Sequence, residues 1–337
     1  MGKTTQVAAD RAYDQTKTVL PAEVAQGVYM QHAPSLKALK LMHLMIGTAG
    51  GRMADDVRHT IRLSDIKQID GMANHSRQTV APLFAELRAA TMTTDDPDKK
   101  RMVIGGLLDM AVVDYRHEVS GDTLITWSFG AMFRDMARDS NHWAILDRQA
   151  VFHLGSKYSV LLFQHIASLQ NLKHVTSKRF SVAELRAVFG IPDGKVKRFA
   201  DLKKDVLNPA IAEINSDLTR LHLKATYHKI GRTVSEVEIA WEVKEDLAKV
   251  KAELDRPKVG RKARQEGTTE TISATTFPAS GSVKYTDWEA IAKTHCNWDL
   301  GKIADAFRSF CAGKNIKLDA KGIETIFINF CKKQARI

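Results

Sequence analysis

From Ser35 the chain reads Ser-Leu-Lys-Ala-Leu-Lys-Leu-Met-His-Leu-Met-Ile, with Leu36, Leu39, Met42 or His43, and Ile46 recurring every three or four residues. That spacing predicts one buried face of a helix, capped by Ser35 and ended by Gly47 and Gly50-Gly51. A short helix is expected over residues 62–69, with Ser64 as its cap, followed by a turn at Asp70-Gly71. Ser76 then opens a longer helix with Val80, Leu83, Phe84 and Leu87 on its buried face. Residues 91–101 read as a polar turn around Asp96-Pro97. Apolar stretches at 102–108, 110–115 and 123–129 suit strands, with Gly121-Asp122 as a turn.

The same order returns in the middle of the chain. Residues 156–169 predict a helix that buries Val160, Leu161, Phe163 and Ile166. Phe180 to Arg186 starts a short second helix, in which Ser181 and Glu184 form a capping box, and Gly190 and Pro192 stop it. Residues 195–218 place Phe199, Leu202, Val206, Ala210 and Ile214 at helical spacing, and Pro209 inside this run should kink it or open it locally. Alternating segments at 221–228 and 233–243, joined at Ile230-Gly231-Arg232, read as a hairpin.

Helix, short helix, longer helix and hairpin thus occur twice, without obvious residue-level identity. Helix-turn-helix plus a β-wing describes each unit; two unrelated α+β domains are the alternative. The expected fold class is mainly α with β-wings (α+β), as tandem winged helices plus a small helical C-terminal unit. The expected divisions are a polar, flexible N-terminal tail (1–29), a first winged helix (30–150) and a second (151–255). A basic, Thr/Ser/Gly-rich flexible linker (256–284) and a helical unit (285–337) complete the chain.

Charge changes the picture. Lys and Arg number 50 against 39 acidic residues, a net +11. The excess is local: residues 1–155 carry 18 of each sign, residues 156–264 carry 22 basic and 13 acidic, and residues 265–337 carry 10 and 8. A basic excess confined to one folded segment points to a polyanion, nucleic acid or an anionic surface. No apolar run approaches the roughly 18 residues of a membrane span, and the N-terminus lacks the apolar stretch of a signal peptide. A cytoplasmic protein without a membrane partner is expected. Cys296, Cys311 and Cys331 fit neither a disulfide framework nor a metal motif, and read as buried thiols.

Catalytic patterns are not found. Gly2-Lys3-Thr4 lacks the strand and upstream glycine of a phosphate loop, and no HExxH or GxSxG occurs. A nicking enzyme would need a His-hydrophobic-His pair, but Leu223 lies between His222 and Lys224. His295 beside Cys296 reads as packing or surface. The expectation is a protein that is not an enzyme and uses no cofactor and no metal.

Ser156-Lys157-Tyr158-Ser159 with Leu161-Leu162-Phe163, then Val182-Ala183-Glu184-Leu185-Arg186, open a recognisable series. It continues with Phe199 to Asn215, containing Val206-Leu207-Asn208-Pro209-Ala210 and Glu213-Ile214-Asn215, and ends with Gly231-Arg232. Over about residues 150–245 this combination resembles the initiator family of iteron-type bacterial plasmid replicons; residues 30–150 follow that family's first unit only in order of elements. The resemblance implies two pseudo-symmetric winged helices that bind direct repeats in an origin as monomers. It also implies dimers, formed through the first unit, that repress their own promoter at an inverted-repeat operator. Opening of an AT-rich region with the host initiator protein, and recruitment of the replicative helicase or its loader, are implied as well.

A helix in the major groove needs donors opposite its apolar seam. Lys195, Lys197, Arg198, Lys203 and Lys204 provide them, with Arg198 and Lys203 foremost because the N-terminal half enters the groove. Lys229 and Arg232 at the wing tip suit a backbone or narrow minor groove, and Lys178 and Arg179 are candidate phosphate clamps. In the first unit Ser76, Arg77, Gln78 and Thr79 open the second helix, and Lys99, Lys100 and Arg101 lie where a wing would reach the backbone. That unit has no net charge, so lighter contact is expected there. Lys314, Lys317 and Lys321 give the C-terminal unit a possible DNA contact, with docking of a host factor as its other role. A winged-helix repressor or plasmid partition protein is the competing function, because fold does not fix function.

Overall fold

The computed structural model describes residues 2–12, 14, 16–27, 33–96, 100–116, 123–170, 172, 174–192, 194–245, 247–254, 277–283, 287–296, 298–314, 316–320 and 322–334. It divides into two units, Met1–Arg256 and Pro257–Ile337.

The N-terminal unit opens with α1 (Lys3–Asp10), β1 (Lys17–Pro21) and α2 (Ala22–Ala25). The first winged helix follows: α3 (Leu36–Ala49), β2 (His59–Arg62), α4 (Leu63–Lys67), α5 (Arg77–Ala89), β3 (Thr91–Asp96), β4 (Arg101–Gly106), β5 (Leu108–Asp114) and β6 (Leu124–Phe129). Next come α6 (Ala131–Asp139), β7 (Trp143–Asp147) and α7 (Arg148–His153). The second winged helix begins with α8 (Lys157–Gln170), β8 (Ser177–Ser181), α9 (Val182–Val188) and α10 (Phe199–Asp201). It continues through a π turn (Leu202–Leu207), α11 (Asn208–Asn215), β9 (Leu221–Ile230) and β10 (Thr233–Val243), and α12 (Leu247–Leu254) closes the unit.

Both winged helices have one sheet topology. The strand before the short helix pairs with the last strand, which pairs with the penultimate one: β2-β6-β5 and β8-β10-β9, all antiparallel. The first unit adds a second hairpin, β3-β4.

Residue-level identity, hidden in the sequence, emerges from the contacts. Pro82-Leu83-Phe84-Ala85-Glu86-Leu87 in α5 corresponds to Pro209-Ala210-Ile211-Ala212-Glu213-Ile214 in α11. Each glutamate clasps the start of the first helix of its own unit. Glu86 accepts from the Ser35 backbone N–H and, at 2.8 Å, from Ser35 Oγ. Glu213 accepts from the Gly155 N–H, one residue before Ser156, at 2.6 Å. Such charge-assisted bonds to N–H groups that a helix start leaves unpaired fix the angle of the third helix to the first. His43 and Gln164 each lie eight residues beyond these serines, and they meet where α3 and α8 touch, His43 Nε2 lying 3.1 Å from Gln164 Oε1. The surrounding core is one cluster running through both winged helices, from Leu39, Met42 and Trp127 to Leu162, Phe180 and Trp241. Fully burying each such side chain contributes about 1.5–3 kcal/mol.

Several expectations need correction. Residues 1–29 are not a tail throughout: β1 pairs along its length with β7, Leu20 is fully buried, and Thr4 Oγ1 donates to His142 O at 3.0 Å. Residues 91–96 form a strand rather than a turn, because β4 supplies partners in register from Thr91↔Gly106 to Asp96↔Arg101. Ser64 does not cap α4; Asp65 does, accepting from the Arg62 N–H at 2.9 Å. The third helix of the second unit starts at Phe199 rather than Lys195. Pro209 opens it by a π turn over Leu202–Leu207, since proline has no N–H to donate and its ring crowds the carbonyl four residues back. The caps at Ser35 and Ser181 are as expected: Ser35 Oγ accepts from Ala38 N at 3.3 Å and Ser181 Oγ from Glu184 N at 3.1 Å. The expected turn at Gly121-Asp122 lies outside the described residues.

The C-terminal unit contains α13 (Asp287–His295), α14 (Leu300–Gly313) and α15 (Ile323–Gln334). Asp299 caps α14 through the Gly301 and Lys302 N–H groups, both at 3.0 Å. Much of the expected linker, residues 256–276 and 284, lies outside the described residues. Its last part is core instead: Phe277 and Val283 are fully buried. The Phe277 ring sits 4.9 Å from Trp288, 4.7 Å from Phe307 and 4.9 Å from Phe327. Arg308 ties that segment to α14, donating to Pro278 O at 3.0 Å and Gly281 O at 2.7 Å. All three cysteines are buried here as free thiols.

Candidate nucleic-acid interface

The approach to α10 is an irregular loop that one side chain organises. Arg186, from α9, donates to the carbonyls of Lys195 (3.0 Å), Val196 (2.5 Å) and Lys197 (2.8 Å). With its carbonyls turned onto Arg186, the loop leaves the Lys195 and Lys197 side chains exposed. Arg198 is the N-cap of α10, with its side chain 77% exposed and 3.8 Å from Asp201. So exposed an ion pair contributes little to stability, which leaves Arg198 available to phosphate or a base. Lys203 is fixed differently: its Nζ sits 4.1 Å over the Tyr227 ring on β9. Lys204 is exposed one residue further on. The structure therefore gathers Lys195, Lys197, Arg198, Lys203 and Lys204 at the N-terminal end of one helix.

The wing lies beside them. β9 and β10 pair from Val243↔Leu221 to Thr233↔Ile230, and β8 covers β10 only from Ala240 to Glu236. The last turn of the hairpin thus projects beyond the third strand. Gly231 takes φ +62° at its tip, a conformation that costs glycine little. Lys229 and Arg232 are exposed there, and Ile230 between them is 77% exposed. By strand alternation Lys229 shares a face of β9 with Tyr227.

Lys178 and Arg179 are already engaged with the sheet. Lys178 Nζ lies 4.8 Å over the Phe180 ring, on the core face of β8. Arg179, on the opposite face, is 3.5 Å from Glu238. That carboxylate also accepts from Ser177 Oγ at 2.9 Å and meets His228 Nε2 at 3.0 Å, contacts that hold it below the usual carboxylate range.

In the first unit Thr79 is occupied by capping: its Oγ1 accepts from Ser76 N at 2.9 Å and donates to Ser76 O at 3.1 Å. Ser76 Oγ donates to Gln78 Oε1 at 2.8 Å, and Gln78 is exposed. The Arg77 guanidinium stacks 4.1 Å over Tyr115, just past β5. Lys100, at φ +50°, and Arg101 are exposed at the turn of the β3-β4 hairpin. Lys99 lies outside the described residues, as does Lys321 in the C-terminal unit.

Residues 23–167 match the family model described as initiator replication protein, WH1, and residues 181–241 match initiator Rep protein, WH2. The chain belongs to the initiator Rep protein family. The WH1 match starts in the segment expected to be a tail and runs on through most of α8; the core shared by α3 and α8 gives that division a physical basis. Among solved structures, one described as the Pi initiator protein in complex with iteron DNA superimposes with a TM-score of 0.52 at 19% identity. It covers 69% of this chain and 99% of that one. A structure of domains 2 and 3 of RctB gives a TM-score of 0.39 at 10% identity, over 61% of this chain and 80% of that one. No curated protein matches the sequence significantly.

The family's two winged helices are thus the two units of the internal repeat. Two residues that shape this surface carry no charge-pattern signal in the sequence: Arg186 and Tyr227. Arg186 acts on carbonyls, which charge counting does not register. The period of two along β9 puts Tyr227 on the apolar face, and that was the one available signal for it. Among the described residues no group of His, Cys, Asp and Glu is arranged to hold a metal ion, and no helix is long and apolar enough to cross a membrane.

Proposed function

We propose that the chain is a plasmid replication initiator that binds direct repeats of an origin as double-stranded DNA, with the second winged helix as its main reader. The observation that carries this is the cluster Lys195, Lys197, Arg198, Lys203 and Lys204 at the start of the third helix, beside a wing tipped by Lys229 and Arg232. A groove-reading helix flanked by a backbone-tracking hairpin requires cations in both places. The solved Pi structure, whose description names iteron DNA, supports direct repeats as the target class.

Opening of the origin, recruitment of the host initiator protein and replicative helicase or its loader, and repression of the chain's own promoter as a dimer complete the reading. Self-association is supported by the first unit's strands. Met102 and Ile104 on β4, Val112 on β5 and Leu124 on β6 are exposed large apolar side chains, with Tyr115 next to them in sequence. A concentration of this kind marks an interaction surface. The reading gives the chain no catalytic step, no cofactor and a cytoplasmic location; metal-dependent cleavage of supercoiled DNA by the pure protein would contradict it.

A salt titration tests the reading. Tandem repeats from upstream of the gene should bind far more tightly than scrambled DNA, with a steep dependence on salt. Arg198→Ala with Lys203→Ala should abolish most of that preference, a loss of about 10²-fold if each removes a groove contact of ordinary strength. Equal binding of both DNAs by the wild type would leave a basic protein without an origin. Preference for one inverted repeat over tandem repeats would favour a repressor or partition protein.

A further inference from the structure

Tyr227 is the point at which the wing meets the reading helix. Its ring is half-buried, packs edge-to-face on Phe199 at 5.9 Å and lies 4.1 Å beneath the Lys203 ammonium. Its hydroxyl donates to Asn208 Oδ1 at 3.2 Å. One side chain on β9 therefore touches α10, the π turn and the first residue of α11. The first winged helix repeats part of this device: Tyr115, past the end of the equivalent strand β5, carries Arg77 at 4.1 Å. It cannot repeat the rest, because the residue corresponding to Asn208 is Ala81.

Asn208 is exposed on the same helix as the cations. A free asparagine amide can turn by 180° and present either its oxygen or its N–H2 group. A phenol is a better donor than acceptor, so its bond to Oδ1 favours this orientation over the turned one and leaves the N–H2 group facing outward. Burial raises the Tyr227 pKa, so the hydroxyl keeps its proton and stays a donor at neutral pH. The Lys203 ammonium, held on the same ring, adds a second donor nearby.

We propose that Tyr227 is a positioning residue that biases Asn208 toward donating outward, giving the second winged helix a preference for an acceptor-rich base edge, guanine N7/O6, at one position of its DNA site. In the major groove guanine offers two adjacent acceptors, whereas adenine offers one acceptor beside a donor. An amide with its oxygen committed favours the first; an amide free to turn tolerates both. The inference rests on the DNA-reading role proposed above and specifies its chemistry.

The test uses the full-length protein and a set of repeats with each base pair substituted in turn. The wild type should show one position at which guanine is preferred over adenine by about ten-fold or more. Tyr227→Phe keeps the ring, and with it the Lys203 and Phe199 contacts, but loses the hydroxyl. It should bring that preference below about three-fold while leaving the other positions and the salt slope unchanged. Asn208→Ala, on an exposed site, should flatten the same position. Replacing the guanine by 7-deazaguanine should weaken the wild type and leave Tyr227→Phe nearly unaffected. An unchanged profile in Tyr227→Phe, or a uniform loss at every position, would overturn the positioning role while leaving the initiator reading intact. A wild type that does not distinguish repeats from scrambled DNA would instead overturn that reading, and this inference with it.

Discussion

Acidification from pH 7 to 4.5 should cost the N-terminal unit about 5 kcal/mol of stability, shared by two buried histidines with native pKa values near 4. His43 and His165 sit on α3 and α8 inside the shared core, and burial pushes the pKa of each from 6.5 down to about 4. For His43 the hydrogen bond with Gln164 opposes that shift without cancelling it; for His165 the nearby Lys178 adds to it. Both rings are therefore neutral in the native state until about pH 4, whereas in the unfolded chain they take up protons below 6.5. The unfolded state binds the extra protons, so stability is fully present above 6.5 and drains away between 6.5 and 4. Burial lowers His59 and His75 as well, in the same direction. Urea melts at a series of pH values should show stability falling by roughly 2–3 kcal/mol per pH unit between 6 and 4.5, close to two protons' worth. His165→Leu, which keeps an apolar body against Phe180, should lower that slope by about one proton's worth. A slope untouched by the substitution would show that the acid response arises elsewhere.

Phe277→Ala should unfold the C-terminal unit. The ring is fully buried among Trp288, Phe307 and Phe327, and truncating such a side chain costs about 3–5 kcal/mol. A unit of about 50 described residues has only about 3–8 kcal/mol in total. The chain supplies its own reporter, because its three cysteines are all buried in this same core. Burial, with the Cys296 thiol alongside, pushes Cys331 up to about 12, and burial raises Cys311 too, so these two native thiols are poor nucleophiles. A thiol reagent should label the wild type slowly and the variant rapidly at all three positions. Protected thiols in Phe277→Ala would mean that the aromatic cluster is dispensable to the unit.

The repeat of elements was legible because each unit's helices bury residues at helical spacing over a dozen positions or more, and because Ser35 and Ser181 are local caps. What escaped is what depends on distant partners. The segment Lys17–Pro21 is only five residues long, and its partner β7 lies more than 120 residues away. Thr91–Asp96 carries the polar composition of a turn, and only pairing with β4 makes it a strand. The correspondence of Glu86 and Glu213 means little in the sequence until both are seen to grip the start of a first helix. Charge along the chain singles out the cations of the α10 end and the wing tip, which the structure places side by side. It singles out Lys178 and Arg179 too, but does not show their contacts with Phe180 and Glu238, which depend on strand pairing.

The contact of His43 with Gln164, at matching positions of the two repeats, has a geometric consequence. A hinge between two reading heads would let a protein tolerate variable gaps in its site. Here the first helices of both heads are built into one continuous core, each with a glutamate tying its own reading helix to it. The pair forms a caliper with its jaws set. B-DNA turns once in about 10.5 base pairs, so five added pairs would swing one contact block to the far side of the duplex. Under the proposed function, a head pair of this construction would measure the phase of its site as strictly as its letters, and the length of the repeat would become as much a part of the signal as its sequence.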